Sequence, residues 1–258
     1  MEIPGKMQLT LVSYYGEKTK PALDLIRLCQ DKLSAMLLSA FRPYELEQVH
    51  GTIIGLEGCR VGSLIRNDNF SSNRGEDRQM SPAELLRYLR SNEFPSFSIR
   101  VGGFRHYKDW GFVSRSQHPY LRSFSIHGSI AVAMGWPIEG DSFTDTLDKL
   151  RHKFNEINVL HKWHKKEGDK DNDFFFVLGH VDLRSISAVQ LQGVQEEMRL
   201  FLAGLNDVII PINKEVLSIV GYLDAHLPIE TSCSFKTNDS QLNPERILHL
   251  YPDCGTAV

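Results

Sequence analysis

The chain has 258 residues, of which 41% are hydrophobic and 24% charged, a composition that excludes a disordered chain and a fibrous repeat. A formal net charge of −3 offers no broad positive field for a long nucleic-acid duplex, so we expect a small or short-ended substrate. The N-terminus lacks the order of a signal peptide, and nowhere do 18 apolar residues run together. We therefore expect no membrane association and a cytoplasmic protein.

The cysteines support the same expectation. They are too widely scattered for a CxxC metal pair or a dense disulfide framework. We expect no structural disulfide and a reducing compartment. The four are Cys29, Cys59, Cys233 and Cys254.

The first half of the chain predicts the order βαβ, then αββ. The run over 7–15 is β-rich, and apolar residues at helical spacing follow Pro21. The run VHGTIIGL over 49–56 is β-branched and bounded by glycines, as in a buried strand. Residues 57–81 are polar and rich in Gly, Asn and Ser, which predicts a long mobile loop that covers the neighbouring groove. A capping-box pattern at Ser81 then opens a second helix.

Further elements follow in the second half. Strands are predicted over 95–104, 124–136, 174–183 and 215–227, and helices over 143–157 and 189–205. Two similar halves each place a histidine near a buried strand, which suggests an internal duplication. This order favours an α+β fold with mixed or antiparallel sheets over a doubly wound one. We predict one domain over 1–228, with 229–258 as a C-terminal tail or edge element.

Two short motifs carry candidate chemistry. His50 and Thr52 are two residues apart on one predicted strand, and His180 and Asp182 are two apart on another, so each pair shares a face. An imidazole exchanges protons near neutral pH. Two imidazoles facing each other across a groove would form an acid/base pair able to cut a phosphodiester without a metal or other cofactor.

The strings VHGTIIGL, FSIRVGGF, FVLGHVDLR and LSIVGYLD, with the element order over about 7–228, resemble the 2H phosphoesterase superfamily (LigT-like, cyclic phosphodiesterase-like). The resemblance implies a two-lobed, pseudo-duplicated α+β fold with flanking helices and a central groove. It also implies an H-x-[ST] motif in each lobe. One histidine would activate water or a ribose hydroxyl, the other would protonate the departing oxygen, and Thr52 would hold a phosphate oxygen.

The second motif departs from this pattern, because Asp182 stands where the family has Ser or Thr. An H-x-[ST] also occurs at His127 and Ser129, although roughly one such match is expected by chance. We prefer His180, because a helix and a closing strand follow it, as the resemblance requires. We expect Asp182 to accept a hydrogen bond from His180 and to raise the pKa of that imidazole.

The predicted activity is that of a metal-independent phosphodiesterase. Its substrate would be a cyclic phosphate, a cyclic nucleotide or oligonucleotide, or an RNA end, with Tyr14 and Tyr222 as substrate-binding aromatics. His161 and His164, with His152, are interpreted as a solvated helix end rather than a metal site. Two alternatives stay open: a degenerate nucleotide-binding or sequestering module, and a structural protein with buried, satisfied histidines.

Overall fold

A computed structural model describes residues 7–255. Its strands are β1 (Gln8–Ser13), β2 (Phe41–Pro43), β3 (Gly51–Gly55), β4 (Gly58–Val61), β5 (Leu64–Asn67), β6 (Gln79–Met80), β7 (Phe97–Val101), β8 (Phe124–His127), β9 (Ile130–Glu139), β10 (Ser142–Phe143), β11 (Phe174–Val181), β12 (Val208–Ile212), β13 (Leu217–Tyr222) and β14 (Cys233–Lys236). Its helices are α1 (Lys20–Leu37), α2 (Asp68–Arg74), α3 (Pro82–Arg90), α4 (Pro119–Arg122), α5 (Thr146–Lys153), α6 (Ala188–Gly204) and α7 (Pro244–Leu250).

One large sheet runs through the molecule in the order β12-β7-β9-β11-β3-β1-β13-β14. All neighbouring strands in it are antiparallel. Three short strands pair with its inner strands: β2 with β11, and β8 and β10 with β9. The predicted α+β class is confirmed, with antiparallel pairing. The sheet is narrowest where β11 meets β3, because only Phe176 pairs with Gly51 there.

The two strands at this junction each contain a β-bulge. In β3, Val12 pairs with Thr52 and Leu11 with Ile54, so Ile53 is the extra residue. In β11 the pairing with β9 jumps from Val177 to Gly179. A bulge leaves a backbone carbonyl without its usual partner on the neighbouring strand. At each of these bulges a side chain donates a hydrogen bond to such a carbonyl, Arg151 in β3 and Gln30 in β11.

Helix α1 covers the core side of this sheet. Its buried residues recur at helical spacing, and the pattern matches the apolar series predicted after Pro21. The Gln30 amide donates to the carbonyl oxygens of Tyr44 and Leu178, both at 2.8 Å, and so reaches the bulge of β11. Helix α6 packs beside α1 and begins with a capping box formed by Ser187 and Gln190.

The segment 57–81, predicted as a mobile loop, is instead built from regular structure. It forms β4, β5 and β6, which make a three-stranded antiparallel sheet, and it contains α2. Asn67 caps α2 by accepting from the Phe70 N–H, and Gly75 ends the helix in the left-handed conformation. Polar composition was misleading here, because Asn and Gly supply the cap and the turn that a short helix needs.

The C-terminal segment 229–258 is an edge element where it is described. Strand β14 extends the large sheet beside β13, α7 packs against α3, and Cys254 forms a disulfide with Cys59 across 195 residues. The expectation of no structural disulfide is therefore wrong. Residues 256–258 lie outside the described residues. So do residues 1–6, the start of the N-terminus that was predicted to carry no signal peptide.

Across the described chain, we find no helix with both the length and the apolar content to cross a bilayer.

Candidate active site

His50 directly precedes β3, and its hydrogen bonding defines its tautomer. Its Nδ1 lies 2.7 Å from the carbonyl oxygen of Gln48. A carbonyl only accepts, so Nδ1 carries the proton and Nε2 keeps a lone pair. Burial lowers the pKa of His50 to about 4, against the smaller opposing effect of the bond to Gln48. The ring is a neutral imidazole at pH 7, suited to take a proton.

Thr52 shares the face of His50, and its strand is fixed from behind by Arg151. This guanidinium is fully buried and donates to the carbonyl oxygens of Thr52 (3.2 Å) and Ile53 (2.9 Å), at the bulge. It also pairs with the Asp171 carboxylate at 3.3 Å. A buried ion pair that hydrogen-bonds the bulge holds His50 and Thr52 in one geometry.

His50 and Thr52 open into a cavity of about 420 Å³, here named the main cavity. The wall on the β11 side is apolar, with Phe175 and Val177 on the same face as the histidine. Strand β9 and its neighbours close the far side. The complete lining is Tyr44, His50, Thr52, Arg115, Arg122, Ser125, His127, Ile130, Val132, Met134, Lys162, Trp163, Asp173, Phe175, Val177, Ala225 and His226.

The main cavity concentrates positive charge that the whole-chain charge conceals. Arg115, Arg122 and Lys162 line it, against the single carboxylate of Asp173. Arg122 and Arg115 pair with that carboxylate at 2.7 and 3.2 Å, whereas Lys162 forms no salt bridge within residues 7–255. Two arginines with free N–H groups and a lysine are a fitting environment for a phosphate.

A smaller cavity of about 120 Å³, the side cavity, shares His50, Thr52, Lys162 and Trp163 with the main one. Tyr222 lines it, and its hydroxyl donates to Glu57 at 3.0 Å. The predicted substrate-binding Tyr222 is thus beside His50.

Tyr14 is not at the site. It is fully buried in the hydrophobic core, and its hydroxyl donates to the Pro211 carbonyl. The assignment of Tyr14 to substrate binding is therefore wrong. The residue directly follows β1, and its ring packs into the core.

His180 and Asp182 do not join His50 in either cavity. His180 lies near the end of β11, opposite Arg42 and Ile130. Strand β11 ends at Val181, and Asp182 then caps a short 3-10 turn, accepting from the Arg184 backbone and side chain and from the Ser185 hydroxyl at 3.1–3.4 Å. The expected hydrogen bond from His180 is therefore wrong, because the carboxylate is taken by its own turn.

Two other histidines, His127 and His226, do line the main cavity. Ser125 and His127 are two apart on β8, share a face, and line the cavity with His50. The predicted alternative paired His127 with Ser129, which lies in the tight turn between β8 and β9 and outside the lining. The missed signal was the order Ser-x-His at Ser125 and His127. It is the reverse of the His-x-Thr order at His50, and a strand of opposite direction presents such side chains in reversed order.

Of the three histidines interpreted as a solvated helix end, His161 and His164 are in fact buried, whereas His152 is partly exposed. The His161 Nε2 lies 2.8 Å from Asp171, and the His164 Nε2 lies 3.2 Å from Asp148. Burial, with the Arg151 charge, lowers the pKa of His161 to about 3. The sequence pattern did not predict this, because these side chains are buried by segments distant in the chain.

Asp148, His152 and His164 also offer three ligand atoms within 4.8 Å of one another. Two imidazoles and a carboxylate fit a zinc ion by ligand type. However, none of the three lines the main or the side cavity, so an ion there would not touch a phosphate beside His50.

No family model and no curated protein matches this chain. Among solved structures, it is similar to the crystal structure of TT0787 of Thermus thermophilus, with a TM-score of 0.39 and 10% identity, over 89% of this chain and 94% of that one. At that level the similarity supports no conclusion about activity.

Proposed function

We propose that this protein is a metal-independent phosphodiesterase that hydrolyses or opens a cyclic phosphate, a cyclic nucleotide or oligonucleotide, or an RNA-end phosphodiester. One observation carries the proposal: His50, whose Nδ1 is bonded to the Gln48 carbonyl, lines a cavity together with Arg115, Arg122 and Lys162. The arrangement joins a general base to a phosphate-binding wall.

The two halves of the large sheet are, in this proposal, the two lobes of a 2H phosphoesterase-like fold. Each half has four main strands, β3-β1-β13-β14 and β11-β9-β7-β12, and they meet only at Gly51 and Phe176. A pseudo-twofold axis at that pair relates His50 to Phe175 and Thr52 to Val177. The second lobe then carries apolar residues where the first carries its motif.

In the mechanism we propose, the His50 Nε2 takes a proton from water or from a ribose hydroxyl, and the oxygen attacks phosphorus. The Thr52 hydroxyl and the nearby cations stabilise the charge that develops on the phosphate oxygens. The departing oxygen needs a proton from a second group. His127 is the preferred donor over the predicted His180, because it lines the cavity with His50, whereas the other lining histidine, His226, has its Nδ1 bonded to the Tyr44 hydroxyl.

A second candidate function is a nucleotide-binding module without turnover. Phe175 and Val177 at the symmetric positions favour it, since neither side chain exchanges a proton. Such a protein would keep the phosphate-binding wall and one motif but lack a complete acid/base pair.

The test is hydrolysis of cyclic mono-, di- and trinucleotides and 2′,3′-cyclic phosphates by EDTA-treated protein, with products identified by mass spectrometry. We expect turnover that His127→Gln abolishes and that His180→Gln retains. His249→Gln, on the exposed side of α7, is the matched control. Turnover lost to EDTA and restored by one divalent ion would overturn the metal-free mechanism, and tight nucleotide binding without products would favour the binding module.

A further inference from the structure

Trp163 is an exposed indole in the wall of the proposed site. Its side chain is 42% exposed, although it lines both the main and the side cavity with His50 and Thr52. The mechanism above gives it no role. A large apolar ring left open to solvent beside a phosphate-binding wall calls for a ligand with a flat face.

The turn that carries Trp163 is anchored on both sides. His161 and His164 are buried and bonded to Asp171 and Asp148, and the His164 N–H donates to the His161 carbonyl at 2.9 Å, which closes the turn. The backbone of the two residues between these anchors, Lys162 and Trp163, therefore has little freedom to move. The indole is therefore held outward at low entropic cost to a ligand.

Helix α2 braces the same turn from outside. The Asn69 amide donates to the Leu160 carbonyl at 3.0 Å, the Asn73 amide to the Lys162 carbonyl at 3.4 Å, and Arg74 to the His164 carbonyl at 3.0 Å. The segment 57–81 thus supports the turn through three side chains on one helix. The polar side chains that predicted a mobile loop over the groove are therefore the ones that bond to this turn.

Cations surround the ring. The Arg115 guanidinium lies 5.3 Å from the Trp163 centroid, and the Lys162 and Lys165 ammonium groups lie 5.4 and 6.0 Å from it. Arg115 and Lys162 also line the main cavity. An aromatic face and phosphate-binding cations side by side match a ligand in which a flat ring is joined to a phosphate.

We infer that Trp163 is the platform on which a base of the substrate stacks, so that the substrate class is a nucleotide rather than a phosphodiester without a base. The base lies on the indole, and its phosphate lies against His50 and Thr52. This inference rests on the proposed function for the position of the phosphate. Stacking of one base on an aromatic side chain corresponds to about 5- to 150-fold in affinity.

The experiment measures binding in a His50→Gln background, so that no turnover is needed. The probes are adenosine 2′,3′-cyclic phosphate, 3′,5′-cyclic AMP and cyclic di-AMP, with ribose 2′,3′-cyclic phosphate as the ligand without a base. The variants are Trp163→Ala, Trp163→Phe and, as the control, Tyr107→Ala, which removes another exposed aromatic.

We expect at least one nucleotide to bind about 5- to 150-fold more tightly than the ribose phosphate. Trp163→Ala should remove that preference, Trp163→Phe should keep part of it, and Tyr107→Ala should leave it unchanged. Quenching of indole fluorescence by the nucleotide should disappear with Trp163. Equal loss of both ligand types in Trp163→Ala, or no binding of any nucleotide, overturns the inference.

The two proposals fail separately. If Trp163 carries the base preference but the wild type hydrolyses nothing, the phosphodiesterase is wrong and the platform stands. If the wild type hydrolyses the ribose phosphate as well as the nucleotides, and Trp163→Ala changes neither rate, the platform is wrong and the phosphodiesterase stands.

Discussion

Strands β3 and β11 meet at the centre of the large sheet and differ in what they bring to the cavity between them. Strand β3 and the residue before it bring His50 and Thr52, whereas β11 brings Phe175 and Val177. Both strands are bulged, and both bulges receive a side-chain donor, Arg151 in one case and a glutamine of α1 in the other. Two strands with similar backbone geometry can therefore present different side chains to the cavity. The side chains that face the cavity contribute little to the core on the opposite face of the sheet.

The largest expected effect separates the two strands by rate. His50→Gln should lower kcat about 10²- to 10⁴-fold, because it removes the general base. Phe175→Leu, which changes a cavity-lining side chain of β11, should change kcat by only a few fold. Steady-state kinetics on the best substrate of the screen, with circular dichroism as a check on folding, measure both. An equal loss in the two variants would mean that β11 takes part in the chemistry.

The next effect compares the two donors at the bulges. Arg151→Met removes one charge partner of the buried Asp171 and frees four carbonyl groups, so the free energy of unfolding should fall by about 3–5 kcal/mol. Gln30→Met should cost about 1 kcal/mol, because the Leu178 carbonyl keeps its bond from the Tyr44 N–H. Urea unfolding at pH 7 measures both. The opposite order would show that β11, not β3, depends on its brace.

The pH dependence tests the lowered pKa of His50. Its pKa is about 4 in the folded protein, below the ordinary value of 6.5, so the unfolded chain binds the proton first as the pH falls. This contribution to stability is complete above pH 6.5 and is lost towards pH 4. Wild type should thus lose more stability than His50→Gln between pH 7 and 4.5 in urea unfolding. The acid limb of kcat/KM should fall near pH 4 in wild type, and a limb near 6.5 would contradict the buried, neutral base.

The smallest expected effect concerns the end of β11. Asp182→Asn should leave kcat and the urea midpoint close to wild type, because its carboxylate serves only an exposed turn with Arg184 and Ser185. Thr52→Val, which changes the corresponding residue of the first motif, should lower kcat clearly. A loss of rate in Asp182→Asn as large as in Thr52→Val would return the second motif to the site.

The sequence alone predicted the features that depend on residues close together in the chain. The β-branched run beginning at Val49 indicated β3, and the period of two on a strand put His50 and Thr52 on one face. The capping-box pattern at Ser81 follows from residues three apart, and a helix begins there. These predictions hold because local geometry is the same wherever a segment packs.

Only the tertiary structure decided which distant residues meet. The main cavity joins His50, His127 and Trp163, and the disulfide joins Cys59 to Cys254, across separations that no local period encodes. The buried His161 is bonded to Asp171, whose backbone carbonyl accepts in turn from Arg151. Neither contact follows from the local residue pattern, which suggested a solvent-facing turn. Long-range contacts depend on the packing of the whole core, because the free energy gained there must offset the entropy lost in closing long loops.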